Sequence, residues 1–510
     1  MNEMIYTYQS RITLDNKKLE ILEEYTELYN NMQHALYAEV TKGKTSASCK
    51  NHFLQKFRVT ARQFNACRVS LDGKIAAALA CKENALLNIK DKIASLDKKL
   101  LSLEKQVAQL LKKALVDLPF RKKKKNLAHL LHQKKRRRIA LGSRRIQLEK
   151  ELKENRVNLC FGSKKLFRAQ FALQENGYSS HEEWLKHWQQ SRKSEFFTLG
   201  SKDETAGNQT CTACINEDDS LALRLRLPPA FEAKHGKYLV IDSVKFAYGH
   251  QAILASLRDP QGQAISYRFK KDKKGWTLLA STSTKKSPII TREEIGVIGI
   301  DLNSDHIACV ETDRFGNPIK KEIIPYLTYG KSKDQSKALT GDICKTIITW
   351  AKETNKPIVI EELDFQKKKN SLKEQKKKYA RMLSSFAYGL FFKTLQSQGY
   401  KQGISIHEIN PAYTSIIGAI NYATRYGLTT HLAAALCIAR RYQKLSESPN
   451  LSTKKIYDGK GCHLTFALPE RNRTKHVWHF WGEVKRKVKT VLAAHVRAKL
   501  RSSGLTPLRQ

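Results

Sequence analysis

Residues 296–319 read GVIGIDLNSDHIACVETDRFGNPI, and this stretch decides the fold. It is apolar up to Asp301, resumes after a polar break as an alternating run, and meets a Gly316-Asn317 turn. This predicts a strand that ends on a carboxylate and turns back as a hairpin, with Asp301 on a central strand. Downstream, residues 340–353, TGDICKTIITWAKE, carry apolar side chains at helical spacing. Asn355-Lys356-Pro357 stops that helix before the run PIVIEELDF at 357–365, which sets Glu361 inside an apolar strand. A carboxylate there is costly unless a cation or strong hydrogen bonds compensate it. Two such carboxylates on neighbouring strands repel unless a divalent metal lies between them. Taken alone, an acid at a strand end is more often an ordinary solvated group than a ligand.

Two further stretches follow in order, HEINPAYTS at 407–415 and THLAAALCIARR at 430–441, a strand with its loop and then a helix. In these motifs and their spacing, residues 296–445 resemble the RuvC nuclease domain of TnpB proteins, transposon-encoded relatives of type V CRISPR effectors. The resemblance implies that Asp301 is the first catalytic acid, Glu361 the second, and that His431 stands where most relatives carry aspartate. It also implies magnesium or manganese held by these three residues. A neutral imidazole ligates through one nitrogen and leaves the site one negative charge short, so magnesium would be held less tightly. Some RuvC-type nucleases resemble this arrangement, with histidine at the third motif. On its residues alone, His431 is equally a first-turn residue of a helix capped by Thr429 or Thr430.

Many relatives carry two Cys-x-x-Cys pairs between the Thr-Ser of the loop and the last helix. Here the interval SIIGAINYATRYGLTT holds no cysteine, and the chain's one Cys-x-x-Cys, Cys211 with Cys214, lies far from the nuclease motifs. One pair is half a zinc site, so structural zinc is not expected.

Charge points to a polyanionic partner. The 510 residues carry 92 Lys plus Arg against 48 Asp plus Glu, a net charge of +44. The first basic run comprises Arg121, Lys122, Lys123, Lys124, Lys125, Lys134, Lys135, Arg136, Arg137 and Arg138, with no acid between them. The second includes Lys367, Lys368, Lys369, Lys376, Lys377 and Lys378, and a third spans 471–501. Phosphate contact by these side chains would make binding strongly salt dependent; a single run is equally a solvated face. No long apolar span offers a membrane anchor, and the start MNEMIYTYQS does not read as a signal peptide. Ten unpatterned cysteines suit a reducing compartment, so a bacterial cytoplasmic, nucleoid-associated protein is expected.

The predicted class is an α+β multidomain chain: an RNase H-like (RuvC) α/β nuclease domain, a β-barrel wedge domain and a helical recognition domain. Residues 1–14 form a first strand. Residues 15–155 read as helices over 15–42 and 50–83, followed by a heptad stripe from Ile89 to Leu110. Pro119 interrupts it, and a second arm from Asn126 to about Asn155 completes a basic antiparallel hairpin over about 85–155, a dimerising coiled coil being the alternative. Residues 156–292 alternate like short strands, FFTLGS, LALRLRL, KYLVIDSVKFA, QAILASLRD, AISYRFKK and GWTLLASTS, with a helical insert around HEEWLKHWQQSRK. The nuclease domain spans 293–445. The basic tail of 446–510 opens on SESPNLSTKK as a linker, and Val477 to Leu500 is spaced as a helix.

Phe167, Phe171, Trp184, Trp188, Phe196, Phe197, Tyr248 and Tyr267 lie among basic residues, where aromatics either stack unpaired bases or fill a core. The polar turn at Asn208, Gln209 and Thr210 has no evident purpose in the sequence. Taken together, the resemblance implies an RNA-guided, metal-dependent DNA endonuclease of a mobile element, with guide RNA and double-stranded DNA as partners. The oligomeric state, monomer or dimer, stays open. Two rivals share the core: a nuclease-impaired, RNA-guided repressor or transposition accessory factor, and a DDE-type transposase, which would need an end-binding domain that the sequence does not show.

Overall fold

The computed structural model describes residues 4–113, 118–362, 388–449, 453–457 and 463–502. Lys367, Lys368, Lys369, Lys376, Lys377 and Lys378 lie outside the described residues, as do the side chains of Arg121, Lys122 and Lys123. The chain divides into two compact units, residues 1–285 and 286–510.

In the first unit, β1 (Met4–Ile12) pairs antiparallel with β7 (Gly275–Thr284) in a four-stranded sheet of order β1-β7-β6-β2, where β2 is Glu195–Thr198 and β6 is Ile265–Asp272. A three-stranded antiparallel sheet joins β3 (Cys211–Ile215), β4 (Leu221–Arg226) and β5 (Tyr238–Val244). Both sheets and the helix α1 (Asn16–Thr41) enclose one hydrophobic cluster, in which Phe196, Tyr267 and Phe269 are fully buried. Asn208 gives the polar turn its purpose. Its buried amide donates to Ile265 O on β6 at 2.9 Å, and its Oδ1 accepts the Thr210 and Cys211 amides as β3 begins. On β3, Cys211 faces the core and Cys214 faces solvent, so the two thiols leave on opposite sides of the strand.

Arg58, in the left-handed region at φ 47°, breaks the helical stretch predicted over 50–83 into α2 (Lys50–Phe57) and α3 (Ala61–Lys113). α3 is one helix of 53 residues that carries the heptad stripe to its end. The second arm, α4 (Leu118–Lys153), is already helical ahead of Asn126, with Pro119 among its first described residues. The arms are antiparallel. Lys82 meets Glu151, Lys90 meets Glu149, Arg138 meets Asp97 and Lys135 meets Glu104 in succession, while Ile89 and Ile93 pack on Leu148. Beyond it come α5 (Lys164–Ala169), α6 (His181–Arg192), α7 (Glu232–His235) and α8 (His250–Arg258). α8 overturns the strand predicted at QAILASLRD. Ile253 and Leu254 are buried with Leu257 packed beside them, a one-sided helical spacing that a short apolar run does not distinguish from a strand.

The second unit holds a five-stranded sheet of order β10-β9-β8-β11-β12, the arrangement of an RNase H-like α/β domain. β8 (Ile298–Leu302) pairs antiparallel with β9 (His306–Thr312), which pairs with β10 (Pro318–Pro325). β11 (Ile358–Glu361) runs parallel to both β8 and β12 (Ile406–Ile409). The crossover helix α9 (Lys333–Thr354) opens seven residues before the apolar stretch at 340, because Ser332 and Gln335 form a capping box. Asn355, at φ 52°, ends it.

Next to Asn355, Lys356 is buried and donates to Glu311 at 2.7 Å and to Thr312 O at 2.8 Å, while Trp350 Nε1 donates to the other Glu311 oxygen at 2.8 Å. After α10 (Tyr388–Gln402) and β12 come α11 (Thr414–Gly418), a π-turn at Ala419–Ala423, and α12 (Thr430–Tyr442), which lies across the sheet. The tail departs from a linker. Thr453–Tyr457 and His463–Ala467 form a hairpin, and α13 (Val477–Ser502) buries Phe480, Trp481, Val484 and Val488 against Ile417, Leu432 and Leu436.

Candidate nuclease site

β8 and β11 are neighbouring parallel strands with Ile300 beside Ile360, so the next residues, Asp301 and Glu361, lie at the carboxyl ends of adjacent strands. That is where open parallel sheets take ligands. Neighbouring strands run about 4.8 Å apart. α12 brings the third residue. Thr429 caps it, its hydroxyl accepting from the Leu432 amide at 3.3 Å, and His431 leaves the first turn towards β8. Gly299 makes this approach possible, because a Cβ there would lie 2.2 Å from Ala435 O and 2.9 Å from the Ala439 Cβ.

Asp301 is 8% exposed. Its Oδ2 is hydrogen bonded with His431 Nδ1 at 3.3 Å and accepts from Asn303 Nδ2 at 3.0 Å. The Asp301 hydrogen bond raises the His431 pKa above its ordinary value, and the charges of Asp301 and Asp305 add to the rise against the opposing effect of partial burial. Glu361 turns elsewhere: its Oε1 accepts from the Thr414 hydroxyl, and Tyr388 donates to its backbone carbonyl at 2.8 Å. Two histidines stand together, His306 packing edge-on against His431 at 4.6 Å between ring centroids while its Nδ1 pairs with Asp305 at 2.9 Å.

The structure therefore joins Asp301 and His431 directly and sets Glu361 on the adjacent strand end. Among the described residues, the one triad of His, Cys, Asp or Glu with ligand atoms all within 4.8 Å of one another is Glu20, Glu24 and His235, in the first unit. Lys234 already pairs with both of its glutamates. Asp301, Glu361 and His431 supply two carboxylates and one imidazole, a donor set that can take a divalent ion but suits oxygen-preferring magnesium less well than three carboxylates would. Here Asn303 and His431 meet one oxygen of Asp301, and Thr414 meets one oxygen of Glu361.

Sequence reasoning missed Asn303, His306 and Thr414 as site residues. The first two carried a signal, since a hairpin closed over 303–306, with the Asn303 amide donating to His306 O at 2.9 Å, returns both towards the strand end that bears Asp301. In the basic run on α4, Lys135 and Arg138 face acids of α3, at 2.9 Å from Glu104 and 3.2 Å from Asp97, whereas Lys125 and Arg136 are exposed. Lys124, Lys134 and Arg137 are half-buried on the same helix.

No protein-family model and no curated protein matches the chain. Among solved structures it is similar to T. thermophilus RuvC in complex with a Holliday junction substrate, at 16% identity and a TM-score of 0.21, over 28% of this chain and 90% of that one. It is also similar to a CRISPR-Cas12f ternary complex, at 13% identity and a TM-score of 0.21, over 87% of this chain and 100% of that one. A third likeness is to the Cas12i1 R-loop complex before target DNA cleavage, at 10% identity and a TM-score of 0.31, over 73% of this chain and 61% of that one. The chain itself presents an RNase H-like domain with two carboxylates at adjacent strand ends and a histidine seated on one of them.

Proposed function

We propose that this chain is a RuvC-type, divalent-metal-dependent DNA endonuclease, guided by RNA and TnpB-like in being encoded by a mobile element. The observation that carries the reading is the parallel register that sets Asp301 beside Glu361, with His431 Nδ1 3.3 Å from Asp301. Asp301, Glu361 and His431 would hold the metal, which when bound supplies a nucleophilic hydroxide and neutralises charge on the scissile phosphate. The chain's own groups do the rest. Asn303 fixes one oxygen of Asp301, so that carboxylate enters with its orientation set. Thr414 does the same for Glu361. His431 Nδ1 stands at hydrogen-bonding distance from Asp301, and its raised pKa means that any proton it carries there would have to leave before the ring could ligate a cation.

The basic run of α4, from Lys124 to Arg138, would hold phosphates of the duplex partners without reading base edges. The guide rests on the likeness of motif order to TnpB proteins. The test is to purify the protein with RNA from its own locus, sequence that RNA, and assay magnesium- and manganese-dependent cutting of matched DNA beside Asp301→Ala. Cutting that the variant loses supports the reading. A second reading, an RNA-guided binding protein that represses without cutting, gains from the Asp301–His431 contact, which when His431 is protonated offsets the charge of Asp301 from within. Specific guided binding with no cutting in either metal would select it.

A further inference from the structure

The insert between the hairpin and β2 has its own small core and an outer face that this core does not use. Ala169, Trp184 and Trp188 are buried together, with Leu166, Leu173 and Tyr178 packed beside them. Trp184 Nε1 donates to Leu166 O at 2.8 Å, and the two indoles stack with ring centroids 6.2 Å apart. Phe167 lies on Trp188 at 5.4 Å and is 44% exposed, while Phe171 stands edge-on to Phe167 at 6.4 Å and is 79% exposed. Two phenyl faces are thus left in water by a unit that buries both its tryptophans.

The cations around them are placed as unusually. Lys164, Lys165 and Arg168 line a cleft of about 320 Å³ with Ala169 and Asn176. Among the described residues none of these three side chains has a hydrogen bond or ion pair, although many lysines of this unit are paired. Lys164 and Lys165 also open α5, where the helix dipole disfavours positive charge and Ser163 already provides the cap. Neither the fold of the insert nor the stability of α5 accounts for them. None of the residues that line the cleft is acidic, so its charge is positive. Exposed rings beside unpaired cations are what an unpaired nucleic-acid strand recognises: its bases stack while its phosphates are neutralised.

We infer that this face of the insert, formed by Phe167, Phe171, Lys164, Lys165 and Arg168, binds single-stranded nucleic acid. Bases stack on the phenyl rings and the backbone runs along the cleft. A duplex offers no free base faces and gains only the phosphate contacts. The site uses no residue of the nuclease centre and does not rest on the proposed cleavage.

The experiment measures binding by the full chain, without divalent metal, of a labelled oligo-U strand, an oligo-dT strand and a duplex of equal length across a salt series. Phe171→Ala is expected to weaken single-strand binding about ten-fold or more while leaving duplex affinity and the salt slope unchanged. Phe171→Trp should restore it. Replacing Lys164, Lys165 and Arg168 together by glutamine should lower the single-strand salt slope by roughly 2, at about 0.7 per phosphate. A loss on oligo-U alone assigns the site to RNA, and on oligo-dT alone to DNA. Unchanged affinity of Phe171→Ala for both strands, or an equal loss on the duplex, overturns the inference. Because Phe171 is largely exposed, this variant reports on binding without disturbing the insert's core.

Discussion

Gly299→Ala tests how the sheet and α12 are joined beneath the site. The added methyl would stand 2.2 Å from Ala435 O, and since side-chain Cβ atoms essentially never approach closer than 3.0 Å, the helix must retreat by at least 0.8 Å. A backbone carbonyl in mid-helix cannot rotate aside, so α12 moves as a body and takes His431 with it. Overpacking of this kind costs about 1–3 kcal/mol. The hydrogen bond to Asp301 is already 3.3 Å, and a shift of that size carries it past hydrogen-bonding distance. Two readouts follow. The amides of β8 should exchange faster with solvent by about five-fold or more, and the His431 pKa, raised by Asp301, should fall back towards its ordinary value in an NMR titration. Gly341→Ala is the control, since nothing lies within 4 Å of its added methyl and a helical glycine replaced by alanine gains about 0.5–1 kcal/mol. If Gly299→Ala leaves both β8 exchange and the His431 titration unchanged, the close packing of α12 on β8 does not position the histidine.

Lys356→Met should destabilise the second unit by about 3–5 kcal/mol in denaturant unfolding, because it leaves Glu311 buried without its cation. Adding Glu311→Gln should recover part of that loss. In the first unit, burial and the charges of Arg192, Lys74 and Lys193 hold the His34 pKa down at about 4, from an ordinary value of 6.5. The folded state therefore binds fewer protons there than the unfolded chain, so stability is full above pH 6.5 and is lost as pH falls towards 4. The loss should reach about 2 kcal/mol after allowance for His34's partial exposure, and His34→Gln should flatten it in acid unfolding curves. At the candidate nuclease site the sign is opposite. His431 is protonated up to a higher pH than usual, its ion pair with Asp301 is strongest below that pKa, and metal uptake should improve as pH rises through it. Isothermal titration with manganese across that range checks the direction.

The RNase H-like domain was legible because its signals are local. An apolar run ending on Asp301, an apolar run broken by Glu361 and a capped alanine-rich helix each define an element locally, and it was the family resemblance that implied how they assemble. Two kinds of feature were not legible. Short apolar runs such as QAILASLRD are compatible with either secondary structure, and packing on the core decided for helix. The site's supporting residues, Asn303, His306 and Thr414, depend on side-chain contacts across a hairpin and between β11 and α11 that no spacing rule encodes. Among the aromatics, burial separated Trp184, Trp188, Phe196 and Tyr267 from the exposed Phe171 and Tyr248, a division that depends on which face of each element meets the core.

The central claim, that Asp301 and Glu361 form one metal-dependent cleavage centre with His431, is tested most directly by guided cleavage of matched DNA with the chain's own locus RNA. The assay compares the native protein with Asp301→Ala, and Asp301→Ala with Glu361→Ala and His431→Asp. Cutting that requires magnesium or manganese, disappears in both acid variants without a matching loss of RNA-dependent DNA binding, and persists or improves in His431→Asp is the predicted result. Cutting that survives Asp301→Ala, or a native protein that binds its guided target and never cuts it in either metal, would contradict the account.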